Sequence, residues 1–236
     1  MTNENGVFRG VILRQTRGTV GRSRSVFAKF KNMKKDLIYP FNGGMVMNPP
    51  LGAGFKMFAG DLIEFRTNEY YAKPEVYILK TYEVHSASGT TVKIVRDDFR
   101  HIPFVGDKIG VAPATIGGAM TAAVVTSVKN AKDGDTDVWE CVLDGTITAN
   151  KGDVLVEAGS DDKMLVKNIN AFADSDADMP IAGTSDGSDF DNAKYLYTPA
   201  VGGAFIIIHK MSPLPKCVRD INKSPYNGLF KVPGVE

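Results

Sequence analysis

The sequence predicts a mainly β protein, with a small β-barrel or β-sandwich body and extended N- and C-terminal arms. Three observations lead there. Gly (24) and Pro (12) are frequent, and β-branched and aromatic residues fall between them in clusters of strand length. A Gly-Asp tetrapeptide pattern recurs at equal spacing through the middle of the chain. The last part is interrupted by prolines at 213, 215, 225 and 233, which predicts an extended rather than a helical tail. At 236 residues with 43% apolar content, the chain is long enough to bury a core.

Residues 1–40 read as a basic N-terminal arm. Up to position 35 there are nine Lys or Arg against one acid, a net +8; with +1 for the whole chain, the remainder carries −7. Val7–Leu13 and Ser25–Phe30 have strand composition, and the polar stretch between them, with Gly18 and Gly21, reads as an extended loop. The arm offers Arg9, Arg14, Arg17, Arg22, Arg24 and Lys29 as partner-binding residues. Guanidinium groups fork onto carboxylates of a partner protein, which is the favoured reading. The same residues could neutralise phosphates. However, the arm has few aromatics to stack bases and the rest of the chain is acidic, so nucleic acid is disfavoured. The plain alternative is a solvated basic face.

Residues 41–160 read as the β-body, built from 46-residue repeated units. Gly60-Asp61-Leu62-Ile63, Gly106-Asp107-Lys108-Ile109 and Gly152-Asp153-Val154-Leu155 are each 46 positions apart. Under the same shift, Ile78–Tyr82 falls on Val124–Val128, and Val92–Val95 on Val138–Cys141. Each of these two units reads as strand, polar turn (Ser86–Gly89; Asn130–Asp135), strand, loop, then a Gly-Asp turn into a further strand. Gly supplies the backbone freedom, and Asp accepts amide hydrogen bonds within the turn. The bland reading is that any β-protein turns often enough to produce such a register.

Residues 161–236 read as an acidic loop, final strands and an extended Pro-rich tail. Between 133 and 191, fifteen Asp or Glu stand against Lys151, Lys163 and Lys167. Asp174-Ser175-Asp176-Ala177-Asp178 alternates carboxylates as the first half of a calcium loop does. But Met179 stands where such a loop needs Gly, and Ser185 where it needs Glu, so a solvated acidic loop is expected and no metal or cofactor is assigned. Lys194–Tyr197 and Ile206–Ile208 supply the last strand-like runs.

A search for catalytic groups returns none. His85, His101 and His209 are far apart in sequence and read as surface or strand residues; neither cysteine belongs to a Cys-x-x-Cys pair; no Gly-x-Ser-x-Gly or P-loop pattern occurs. The expectation is a protein that is not an enzyme. Cys141 and Cys217 are too few for a disulfide framework and read as buried or free thiols of a cytoplasmically made protein. The N-terminus, Met1–Asn5, is polar, and no apolar run reaches membrane-spanning length. No membrane partner is expected.

Three runs have the character of a known module: Thr121–Val128, a polar turn, Val138–Leu143, then Thr146–Leu155. They resemble a β-module of head decoration and head-fibre proteins of tailed bacteriophages, in the style of crAss-like phages. Met164–Phe172 and Phe205–Met211 through Leu214-Pro215 extend the resemblance, which covers about 60–236 and leaves out the basic arm. It implies an auxiliary capsid (decoration) protein, located in the virion after assembly in the host cytoplasm. The implied partner is the major capsid protein, with a homo-oligomer also open, and no catalytic residues come with the role. Two alternatives stand beside it. One is a head-fibre or tail carbohydrate- or receptor-binding β-module, using Tyr70, Tyr71, Tyr77 and Tyr82 as an aromatic platform if these are not simply core. The other is a packaged nucleic-acid-binding protein using the arm.

Overall fold

The computed structural model describes residues 27–28, 39–46, 56–66, 75–97, 100–169, 171–173, 177–178, 197–202, 204–206, 212–219 and 230–231. Within them the chain is mainly β. Ahead of the central barrel come β1 (Phe27–Ala28), β2 (Tyr39–Val46), β3 (Lys56–Met57), β4 (Leu62–Arg66) and β5 (Glu75–Ile78). The barrel itself is β6 (Thr81–Ser88), β7 (Thr91–Val95), β8 (Lys108–Val111), β9 (Ala122–Asp133), β10 (Thr136–Leu143) and β11 (Val154–Glu157). After it follow β12 (Ala171–Ala173), β13 (Ala177–Asp178), β14 (Tyr197–Gly202), β15 (Ala204–Ile206), one helical turn α1 (Lys216–Arg219) and β16 (Phe230–Lys231).

The central six strands close in the order β10-β7-β6-β11-β8-β9, with every neighbouring pair antiparallel. Closure removes the unpaired edges that an open sheet would present. The alternation expected of a strand with one buried face is plain in β7, where Val92 and Ile94 are buried and their neighbours are not. Tyr82, Val84, Val92, Ile94, Ile109, Ala123, Val125, Cys141, Leu143, Ile147 and Leu155 form the barrel interior. β6 is irregular opposite β7, where the register shifts between Val84 and Ser86.

A second closed sheet, β12-β14-β2-β5-β4, is assembled from both sides of the central barrel in sequence. Only Leu79 and Lys80 separate β5 from β6. A second apolar cluster contains Phe58, Leu62, Leu79, Met164, Val166, Ile169, Cys217 and Val218, together with Val156 of β11. In β11, adjacent Leu155 and Val156 thus belong to different clusters, so this strand is buried on both faces.

The strand-turn-strand pattern read from the sequence corresponds to the β6–β7 and β9–β10 hairpins, with one correction. The turns lie later than expected. Ser86–Ser88 and Asn130–Asp133 continue their strands, and the chain reverses at Gly89 and Gly134, both left-handed at φ 59° and 63°. Polar composition marked the ends of solvent-facing strands as turns. A second correction concerns the tail, where α1 interrupts the expected extended course. Pro215 immediately precedes it, a position where a missing N–H costs nothing, and its carbonyl accepts the Val218 N–H at 3.0 Å.

Candidate functional site

The three Gly-Asp turns have the same internal geometry. Gly60, Gly106 and Gly152 sit at φ 90°, 97° and 87°, a region costly for any residue with a Cβ. In each turn the Asp N–H donates to a carbonyl three residues back: Phe58 at 2.9 Å, Phe104 at 3.1 Å and Asn150 at 3.0 Å. The Asp carboxylate in turn accepts the N–H of that same residue, at 2.7, 3.0 and 2.7 Å. One residue on another segment then clamps each turn, accepting from the Gly N–H and donating to the Asp carbonyl. These clamps are Ala173, Val125 and Val84 respectively, with distances of 2.8–2.9 Å. The 46-residue spacing therefore marks three equivalent turns. Each opens a strand, β4, β8 or β11.

Two of the three turn aspartates also anchor buried polar networks. Asp107 is fully buried, and its Oδ1 lies 3.2 Å from Lys80 Nζ, which is also fully buried. Lys80 Nζ lies 3.0 Å from Glu157 Oε1 as well, so one ammonium sits between two carboxylates. Asp107 Oδ2 accepts the Tyr82 hydroxyl at 3.1 Å in addition to the Phe104 N–H. Burial, and then the negative charge of Asp107, push the Tyr82 hydroxyl well above its ordinary value and keep it a donor. Separating ions this deeply buried is expensive, so the cluster locks β6 to the turn before β8 and to β11.

Asp61 of the first turn faces His101, with Oδ2 2.9 Å from Nε2. His101 Nδ1 accepts the Thr81 N–H at 3.1 Å. An accepting Nδ1 carries no proton, so Nε2 holds the hydrogen and donates it to Asp61. This corrects the reading of His101 as a surface or strand residue. It lies in the loop between β7 and β8, only 1% exposed, and joins the first Gly-Asp turn to the start of β6. His85 is the strand residue expected, in β6, with its ring 3.6 Å from Asp133. His209 is outside the described residues.

A third set of contacts ties β4 to the segment after the barrel. Arg66 grips Glu64 with two bonds, at 2.8 and 3.1 Å, and lies 3.8 Å above the Tyr77 ring. Glu64 also accepts the Lys167 N–H at 2.8 Å. Of the four tyrosines considered as an aromatic platform, Tyr82 is buried in the barrel and Tyr77 is half-buried beneath Arg66. Tyr70 and Tyr71 are outside the described residues. At the long β9–β10 hairpin, Asp133 Oδ2 meets Lys93 and Ser86, each at 3.2 Å, and fastens the hairpin end to β6 and β7.

The basic residues proposed from the sequence, Arg9, Arg14, Arg17, Arg22, Arg24 and Lys29, lie outside the described residues. So does most of the aspartate-rich segment, of which Ala177–Asp178 pairs antiparallel with Met57 and Lys56. Both cysteines are free and buried, Cys141 inside the barrel and Cys217 in the second cluster. Among the described residues no helix has the length and apolarity to cross a membrane. None of their His, Cys, Asp and Glu side chains gather in threes to hold a metal ion.

Sequence reasoning missed Lys80, Glu157 and His101 as partners of the turn aspartates. One signal was present. Lys80 interrupts the apolar run Val76–Tyr82, whereas its equivalent 46 positions later, Thr126, is exposed. A charge inside an otherwise buried run implies a buried counter-charge. The chain matches no family model, no curated protein and no solved structure, so its architecture stands on the turns, networks and closed sheets described above.

Proposed function

We propose that this protein is a non-enzymatic structural component of a bacteriophage virion, an auxiliary protein that binds and stabilises the capsid lattice. The observation that carries the reading is how the described charges are used. Lys80, Asp107, Glu157, Asp61 and His101 are enclosed, and they bind the body together rather than facing a substrate. A closed barrel fastened in this way suits a part that must survive outside a cell. The resemblance of 121–155 to decoration and head-fibre modules supplies the context. The basic arm supplies a means of docking: six cations at positions 9–29 against an acidic remainder. On a repetitive shell, many copies gain by multivalency, so weak single contacts suffice.

Quantitative mass spectrometry of purified particles tests the role. One copy per shell subunit, or per few, is expected for a lattice protein. About a dozen copies per particle would instead indicate a vertex fibre or tail component, and absence from particles would end the virion reading. Within it, replacing Arg9, Arg14, Arg17, Arg22, Arg24 and Lys29 with Ser should weaken co-sedimentation with shells while leaving the circular dichroism of the body unchanged. Undiminished co-sedimentation would remove the arm from the docking surface. Strongly salt-dependent DNA binding by the wild-type chain, lost in this variant, would favour the packaged nucleic-acid-binding role.

A further inference from the structure

The contact between Lys80, Asp107 and Glu157 has the components of a self-forming amide bond. A primary amine is enclosed with a carboxyl group at 3.2 Å, and both are shielded from the water that would compete with or reverse condensation. Asp107 presents its two oxygens differently. Oδ2 accepts two hydrogen bonds, from the Phe104 N–H and the Tyr82 hydroxyl. Those donors stabilise negative charge on that oxygen as the carbon becomes tetrahedral. Oδ1 is the oxygen nearest the amine and is the one placed to leave. Glu157, 3.0 Å from the same nitrogen, is positioned to take a proton from it and return one to the departing oxygen.

We propose that Lys80 and Asp107 condense within the folded barrel to form an intramolecular amide cross-link, with Glu157 as the catalytic proton carrier. One proton crosses the contact from Lys80 to Asp107, leaving a neutral amine and a carboxylic acid. Nζ attacks Cγ, and Oδ2 carries the charge of the tetrahedral intermediate under its two donors. Glu157 takes a proton from the attached nitrogen and delivers it to Oδ1, the Cγ–Oδ1 bond breaks, and Oδ1 departs as water. The C=O re-forms at Oδ2 and keeps both donors. No oxidant, reductant or cofactor enters the balance. The product ties the start of β6 to the turn before β8 covalently and removes two buried charges.

Intact mass spectrometry of the full chain in denaturant is the test. The expected mass is one water below that of the sequence, and the full sequence mass would overturn the proposal. Trypsin should then fail to cut after Lys80 and release a branched species in which 67–93 is joined to 101–108. Asp133-Gly134, Asp144-Gly145 and Asp186-Gly187 can lose the same water by cyclising to a succinimide, but this leaves linear peptides. Water loss with only linear peptides therefore also overturns the proposal. Lys80→Met should restore the full mass, whether or not that variant folds. Glu157→Gln, shown to be folded by circular dichroism, should stay at full mass over hours in which the wild type is fully converted. Equal conversion by this variant would remove Glu157 from the chemistry.

Discussion

The second and third Gly-Asp turns are alike in backbone and unlike in surroundings. Both hold glycine at a strongly positive φ, both close an Asp N–H and carboxylate onto one residue, and both are clamped by a strand of the barrel. Asp107 lies inside and additionally engages Lys80 and Tyr82, whereas Asp153 is half-exposed and caps the Asn150 N–H. The turn is a local solution to starting a strand. What its carboxylate does beyond that depends on which side chains the closed sheet brings to it.

Substituting the two aspartates separates these roles, and the largest effect belongs to the buried one. Asp107→Ala removes the acceptor of two donors, forfeits the cross-link and leaves the buried Lys80 ammonium without one of its two carboxylates, with a cost of about 3–5 kcal/mol or outright failure to fold. Asp153→Ala loses a half-exposed capping bond and should cost about 1 kcal/mol. Urea denaturation of both variants measures the difference. Equal losses would mean that the turn itself, not the buried network, dominates at Asp107.

Tyr82→Phe isolates one bond of that network. The ring remains in the barrel interior, and only the hydroxyl that donates to Asp107 is lost. Without that donor a buried Asp107 oxygen, carboxylate or amide, is left short of a partner at a cost of about 1–3 kcal/mol, so this variant should fall between the two aspartate substitutions. An unchanged denaturation midpoint would show that water or another donor takes over the Asp107 oxygen.

Gly152→Ala tests the shared backbone conformation alone. A Cβ there meets no atom within 4 Å, so the whole cost is that of holding φ at 87°. That cost is on the order of 1–2 kcal/mol. A neutral result would show that this turn relaxes without disturbing β11.

Gly-Asp followed by an apolar strand is local chemistry, so the equal spacing of Gly60, Gly106 and Gly152 was legible, as were the paired hairpins of β6–β7 and β9–β10. The closed order β10-β7-β6-β11-β8-β9 was not. β11 enters between β6 and β8, strands well before it in the chain, and no residue pattern encodes that insertion. The same non-local closure brings Lys80, Asp107 and Glu157 together across 27 residues on one side and 50 on the other, so the sequence marked Lys80 as a charge in an apolar run but not its partners. The strands and turns of the body thus followed from patterns, whereas the barrel rather than a sandwich, and the buried chemistry inside it, came only from closure.

The smallest effect expected is a pH dependence outside the Gly-Asp turns. Burial by itself would raise the Glu64 carboxyl, but the Arg66 fork and the Lys167 N–H outweigh it and hold Glu64 below its ordinary value of 4.5. A carboxyl depressed in the folded state binds protons more weakly there than in the unfolded chain. Its contribution is therefore fully present above 4.5 and is lost as pH falls through the lower folded value. Glu64→Gln should unfold more easily than wild type near neutral pH, and the two denaturation midpoints should converge on acidification. A gap that persists undiminished to the lowest accessible pH would show that Glu64 acts through packing and neutral hydrogen bonds, and that the charge facing Arg66 contributes nothing to holding β4 against 165–167.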